Sequence, residues 1–411
     1  MSQQDSVKAR VVFVTCPETV AKKLSKDKYV RELADYLNKN HGHEVPGVIS
    51  IKPKGSSIEL PGPTPLPIIG NIHQLGVGRS MHQNFTKMSK SFGPIFKVRL
   101  GQITWIIIND HMIAKDLFIS RGSTFSSRPE FGLFTDIILH GSKSVAFCPN
   151  YSWWKTMRLL ESQAIRPHLV ENVYFPVICD NVKRFIQQLY LKSLGDNISQ
   201  NPTADIKLLI TKILATIVFG DLAKDSTVLE RYSHLSKEII EFTDIKSNLL
   251  SVFGWLKYFG IRKFLEREAR QLTAKRDEFS NGLLQQVKNR MIENGPDSET
   301  CVSAELLKSV IIDPSFVASP HTHEFKKDEN GKYIFDNYDV LQICNDLMIG
   351  GTSTTSGSLY WIFATLANYP KVQRKIQQEL DRIVGKGKFY VMDHHADLHY
   401  LKATIKESLR F

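Results

Sequence analysis

The chain has only five cysteines in 411 residues, Cys16, Cys148, Cys179, Cys301 and Cys344, and no two of them form a C-x-x-C pair. That absence excludes a zinc ribbon or a dithiol redox motif, and an odd scatter of thiols supplies no disulfide framework. No protein metal site is therefore expected, and a reducing compartment is. No window reaches 18 uninterrupted apolar residues and the first thirty residues carry charges throughout, so neither a membrane span nor a secretory leader is expected. Lysine and arginine outnumber aspartate and glutamate by 53 to 42, a net charge of +11, yet they are dispersed rather than gathered into a nucleic-acid-binding arm. The basic balance suits peripheral contact with an anionic membrane surface, or an acidic redox partner.

What is present is organised around one long stretch, Tyr338 to Tyr369, with Leu341, Cys344, Leu347, Met348, Leu359, Ile362, Phe363 and Leu366 distributed nearly all round a helix. Such a pattern predicts a buried helix. Its centre, Gly350-Gly351-Thr352-Ser353-Thr354-Thr355-Ser356-Gly357, replaces good helix formers with glycines and hydroxyls. Each glycine costs up to about 1 kcal/mol against alanine, and Ser/Thr side chains bend helices by bonding back to carbonyls. A weak centre admits three explanations: a flat group passing close to the backbone, a groove for water or a small ligand, or close helix packing through small residues.

Along the chain, Val11 to Thr15, a helical pattern from Pro17 to Asn38, and Val45 to Ile51 read as β-α-β. VVFVTCPETVAKKLSK and VPGVISIK in this stretch resemble the opening half of CutA, the divalent-cation tolerance protein with a ferredoxin-like fold. His41 and His43 fall in a solvated His-Gly-His turn there. Lys52 to Ser57 is a linker, and Leu60 to Asn71 is a proline-rich extended connector. A short helix and two strands, Ile95–Leu100 and Thr104–Ile108, follow. After Phe125-Ser126-Ser127-Arg128-Pro129 comes a loop-rich apolar segment with Phe131 and Phe134, either ordinary core or a pocket wall. Trp154 and Arg158, four apart, form a donor pair able to hold a carboxylate, unless Arg158 merely pairs with Glu161. Residues 170–290 read as helical, and residues 293–336 as an exposed excursion. Beyond the long helix, Pro370 opens another that Gly385 ends, and a last helix carries Glu407 and Arg410.

The PGP hinge, F-S-S-R-P, W-x-x-x-R, G-G-T-S-T-T and L-x-Y-L-K-A-x-I-K-E-S-L-R occur here in an order that resembles the cytochromes P-450, the haem-thiolate monooxygenases. The resemblance runs from about residue 58 to the last residue. It implies a mainly α fold with a small β-sheet, haem as cofactor, a small apolar substrate oxidised with O2, and a reductase as redox partner. Nucleic acid is not expected. The implied domains are a CutA-like piece at 1–52, a hinge at 53–70 and the P-450 domain at 71–411.

By this resemblance Trp154 and Arg158 match the pair that holds a haem propionate, Gly350 and Gly351 the passage of the long helix over haem, and Thr354 the hydroxyl that passes protons towards dioxygen. Glu407 and Arg410 match a structural ion pair, expected buried, while Phe131 and Phe134 fall in the substrate loop. Two departures stand out. Ser353 occupies the place of an acidic residue beside the threonine, a poorer proton source. No cysteine lies in the F-x-x-G-x-x-x-C-x-G context that supplies the axial thiolate. The expectation is therefore a P-450 by family that is inactive as this chain. The competing expectations are a fragmentary, non-catalytic product and a CutA-like oligomerising module, located in the cytoplasm or at the endoplasmic reticulum surface.

Overall fold

Prolines at 61, 63, 65 and 67 deny the connector a helix, and in the computed structural model it runs extended up to a tight turn at Leu66–Gly70. The structure describes residues 12–16, 60–75, 81–125, 127–128, 132–141, 143–148, 151–195, 201–221, 226–243, 250, 252–309, 327–331, 333–335 and 337–410. Asn71 clips the connector down. Its side-chain amide donates to the carbonyls of Pro63 and Thr64 at 3.2 and 3.0 Å, and its oxygen accepts from the Arg99 amide at 2.8 Å. Gly70, at φ +64°, has to be glycine, because a Cβ there would lie 2.1 Å from the Arg99 carbonyl oxygen.

The residues cluster into two compact units, one of 1–142, 147–154 and 241–270, the other of 143–146, 155–240 and 271–411. In the first, strand β1 (Val12–Cys16) precedes helix α1 (Met81–Phe92), β2 (Ile95–Leu100) and β3 (Ile103–Ile108). The three strands form one antiparallel sheet in the order β1-β3-β2, with Val12 opposite Ile108 and Cys16 opposite Thr104. The strand expected to open a separate β-α-β piece thus pairs with the hairpin. The rest of that expected piece, together with the boundary at 52–53, lies outside the described residues. Phe85 of α1 packs on Phe96 and Val98 of the hairpin, and α2 (His111–Lys115) starts where the Asp110 carboxylate accepts from the amides of Met112 and Ile113.

Among the described residues the remaining α-helices of eight or more residues are α3 (Tyr151–Ala164), α4 (Phe175–Gly195), α5 (Thr203–Phe219), α6 (Ser226–Glu241), α7 (Ile261–Asn294), α8 (Val302–Ser309), α9 (Asn337–Asn368), α10 (Pro370–Ile383) and α11 (His399–Arg410). α9 is the long element expected from the sequence, and it lies along α5, where Leu359 packs into Ile206, Ile210 and Ile213. Glu379 of α10 accepts from the Tyr400 and Leu401 amides and so caps the start of α11.

Two expectations need correcting. Residues 293–336 include α8, whose Val302 to Leu306 are buried; Cys301 and Ala304 pack against Val287. Its few apolar residues suffice because they meet a partner already in place. The long helix is not buried all round either. Asp339 to Asn345, Met348 and Thr352 are enclosed, whereas Gly350, Thr354, Gly357, Tyr360, Trp361 and Phe363 are exposed. Among the described residues no helix is long and apolar enough to cross a membrane, and no His/Cys/Asp/Glu group could hold a metal ion.

Candidate functional site

The middle of α9 answers the question its composition poses, and differently at two adjacent glycines. A Cβ on Gly351 would sit 2.8 Å from Cδ1 of Leu214, so Gly351 is there to let α5 approach. A Cβ on Gly350 would meet nothing within 4 Å, and the same holds at Gly357. Gly350, Thr354, Gly357 and Trp361 follow the 4-3-4 spacing of one helical face, and that face is open.

The hydroxyl of Thr354 donates to the Gly350 carbonyl at 2.6 Å, and that of Ser356 donates to the Thr352 carbonyl at 2.6 Å and to the Ser353 carbonyl at 3.3 Å. These back-bonds occupy the helix's own carbonyls and are the kind that bend a helix. Thr354 is exposed on the open face; Ser353 is half-buried beside it.

The other residues singled out by sequence are distributed as follows. Trp154 stacks on Tyr151 with centroids 5.7 Å apart and 26° between planes. Arg158 is paired with the buried Glu161 on the same helix, with 53% of its side chain exposed. Phe134 packs edge-on to Phe147 at 5.1 Å, and Phe131 lies outside the described residues. Glu407 and Arg410 are bonded to each other, Nε to Oε2 at 2.8 Å, but the pair is exposed, 51% and 40%, not buried as expected. α11 turns Ser408 inward, and that places both charges on its outer side.

Sequence reading missed a polar cluster in the first turns of α9. Lys143 and Asp339 form an ion pair at 2.9 Å with 5% and 1% of their side chains exposed. Asp346 accepts from the Val145 amide and from Gln342 Nε2, both at 2.7 Å. The residue keeps some surface, but its carboxyl group is enclosed, which pushes its pKa up to about 6; the bonds from Val145, Ser144 and Gln342, and the charge of Arg276, pull the other way. Asn345 Oδ1 accepts from Ser280 of α7, and Arg276 of α7 holds Asp277 at 2.7 Å. Charged residues inside a stretch read for its apolar content were the available signal.

The open strip of α9 fits a flat cofactor face: two positions without Cβ, an exposed hydroxyl and Trp361 on one line. The four cysteines whose side chains are described do not fit an axial thiolate. Cys148, Cys301 and Cys344 are buried, Cys179 is half-buried, and enclosure raises the thiol pKa of both Cys301 and Cys344, keeping them neutral.

Comparison with known proteins follows the same line. The profile of the family described as cytochrome P450 matches residues 60–411. The chain is similar, at 27% identity over 360 residues, to cytochrome P450 93A3 of Glycine max, covering 87% of this chain and 67% of that one. It is 27% identical over 362 residues to a steroid 17-alpha-hydroxylase/17,20 lyase of Rattus norvegicus, covering 88% and 68%. A 3,9-dihydroxypterocarpan 6A-monooxygenase of Glycine max matches at 27% over 356 residues, covering 85% and 66%. The chain thus spans about two thirds of the length of these relatives.

Proposed function

The chain belongs to the cytochrome P450 family, haem monooxygenases that oxidise apolar organic substrates with electrons from a reductase, and from that premise we propose that α9 presents the oxygen-side face of a haem site. The observation that carries the reading is the open strip Gly350–Thr354–Gly357–Trp361, in a helix whose neighbouring Gly351 is already accounted for by packing. Haem, when bound, supplies the activation of dioxygen. The protein's part is confined to its own residues. Gly350 keeps the strip flat; the Thr354 hydroxyl, oriented by the Gly350 carbonyl, holds a proton at Oγ1 beside it; Ser353 offers a neutral hydroxyl in the adjacent position. Trp154 and Arg158 are proposed to hold a propionate, with Arg158 turning from Glu161 to do so. Phe134 is proposed as part of the wall against the apolar substrate.

Haem titration of the 411-residue chain, read by Soret absorbance, tests the reading. Uptake by the parent protein and its loss in Gly350→Leu, which places a side chain in open space, is the expected result. Equal uptake by both would remove α9 from the site.

Peripheral membrane contact is part of the proposal. Tyr258, Phe259, Ile261 and Phe264 are exposed at 79, 71, 36 and 68%, with Arg262 and Lys263 exposed among them. Bulky apolar groups mixed with cations suit an anionic lipid interface. Flotation with anionic vesicles, reduced in Phe259→Asp and Phe264→Asp, is the expected outcome; unchanged flotation would refute this contact.

A further inference from the structure

Residues 143–146 are fastened to α9 at two points. The Lys143 ammonium meets Asp339 at 2.9 Å, and the Val145 amide meets Asp346 at 2.7 Å. These anchors are seven residues apart on α9, about 10 Å along its axis. The segment stiffens itself as well, since the Ala146 amide donates to Ser144 Oγ at 3.2 Å. Just before it, His140 and Gly141 stand at φ +48° and +72°, and His140 is buried, so a residue with a side chain is held in the left-handed region. Strain of that kind persists only where the surroundings enforce it.

The two anchors differ in kind. Lys143 and Asp339 neutralise each other. Asp346 instead faces neutral donors: the Val145 amide, the Ser144 hydroxyl and the Gln342 amide. The cation acting on it is Arg276 of α7, which is itself bound to Asp277 through Nε and Nη2 at 2.9 and 2.7 Å. On α9 itself the neighbouring titratable groups are Cys344, whose thiol is kept neutral by burial, and Asp339. Beside the carboxyl, Gln342 Oε1 is buried without a hydrogen-bond partner. An orphaned acceptor is what a protonated carboxyl requires, and rotating the Gln342 amide by half a turn presents it.

We propose that Asp346 is a positioning residue that makes residues 143–146 a proton-dependent clasp on α9, tight with the carboxyl neutral and loosened when it ionises. The sign follows from linkage. In the open clasp Asp346 meets water and ionises at the ordinary value of 3.8, while in the closed clasp it keeps its proton up to about pH 6. Protons therefore favour closure, and the opening equilibrium rises about tenfold between pH 5 and pH 7.5.

Hydrogen exchange of the Val145 amide in the full chain, divided by its intrinsic rate at each pH, reads the clasp directly. Protection is expected to fall about tenfold from pH 5 to pH 7.5 in the parent protein, with the Cys344 amide on α9 as an unchanged control. In Asp346→Asn, whose Oδ1 still accepts from Val145, protection is expected to be flat with pH. A flat profile in the parent, an equal fall at Cys344, or the same pH dependence in Asp346→Asn would each overturn the proposal. Should Asp346→Asn not fold, the parent profile with its internal control still decides.

Discussion

The two ends of α9 reverse the usual relation between polarity and burial. Its first turns carry Asp339, Gln342, Asn345 and Asp346 and are enclosed, while its later turns carry Tyr360, Trp361 and Phe363 and leave them 41, 57 and 47% exposed. The polar residues can lie inside because Asp339 meets Lys143, Asp346 the Val145 amide and Gln342 Nε2, and Asn345 the Ser280 hydroxyl. Burying such groups without those partners would cost several times what the bonds return. The difference teaches that the early half of α9 is a structural seam and that the later half is an exposed surface, the one proposed to face haem.

The seam is the easier half to break. Lys143→Ala removes the ammonium 2.9 Å from the enclosed Asp339 carboxylate and is expected to lower the unfolding free energy by about 3–5 kcal/mol in urea denaturation. A loss below about 1 kcal/mol would mean that the pair is solvated and the seam is not what holds α9. The two glycines sharpen the contrast at the point where the halves meet. Gly351→Val forces Leu214 aside and is expected to cost about 1–3 kcal/mol. Gly350→Ala enters open space and is expected to gain up to about 1 kcal/mol from helix propensity alone. Thermal melts of the two variants that moved in the same direction would contradict the assignment of one glycine to packing and the other to the open face. The smallest effect is expected at the exposed pair of α11: Arg410→Ala should leave the denaturation midpoint unchanged, because its partner Glu407 is already in water.

Much of this architecture was legible beforehand. α9 was bounded to within a residue or two because a 32-residue pattern closed by Pro370 leaves little choice. The hairpin was legible from its β-branched runs, and the connector from its prolines. The role of each glycine was not, because the answer depends on Leu214, a residue of another helix far away in the chain. Nor was α8, whose few apolar residues become a helix only against Val287 and Met291. Asp346 escaped notice for a related reason: its chemistry comes from an amide at Val145, and backbone donors leave no mark in sequence. Gly350 and Thr354 were singled out by the resemblance, but the exposure of their face was not expected of a helix read as buried, and the expected burial of Glu407 and Arg410 was not realised.

The most direct test of the account is a hydrogen-exchange footprint of α9 with and without added haem. Slowed exchange confined to residues 350–361, with 339–348 unchanged, is the predicted result, since the exposed strip proposed to face haem lies in the later half. Protection spread evenly along α9, or found elsewhere and absent from residues 350–361, would contradict it.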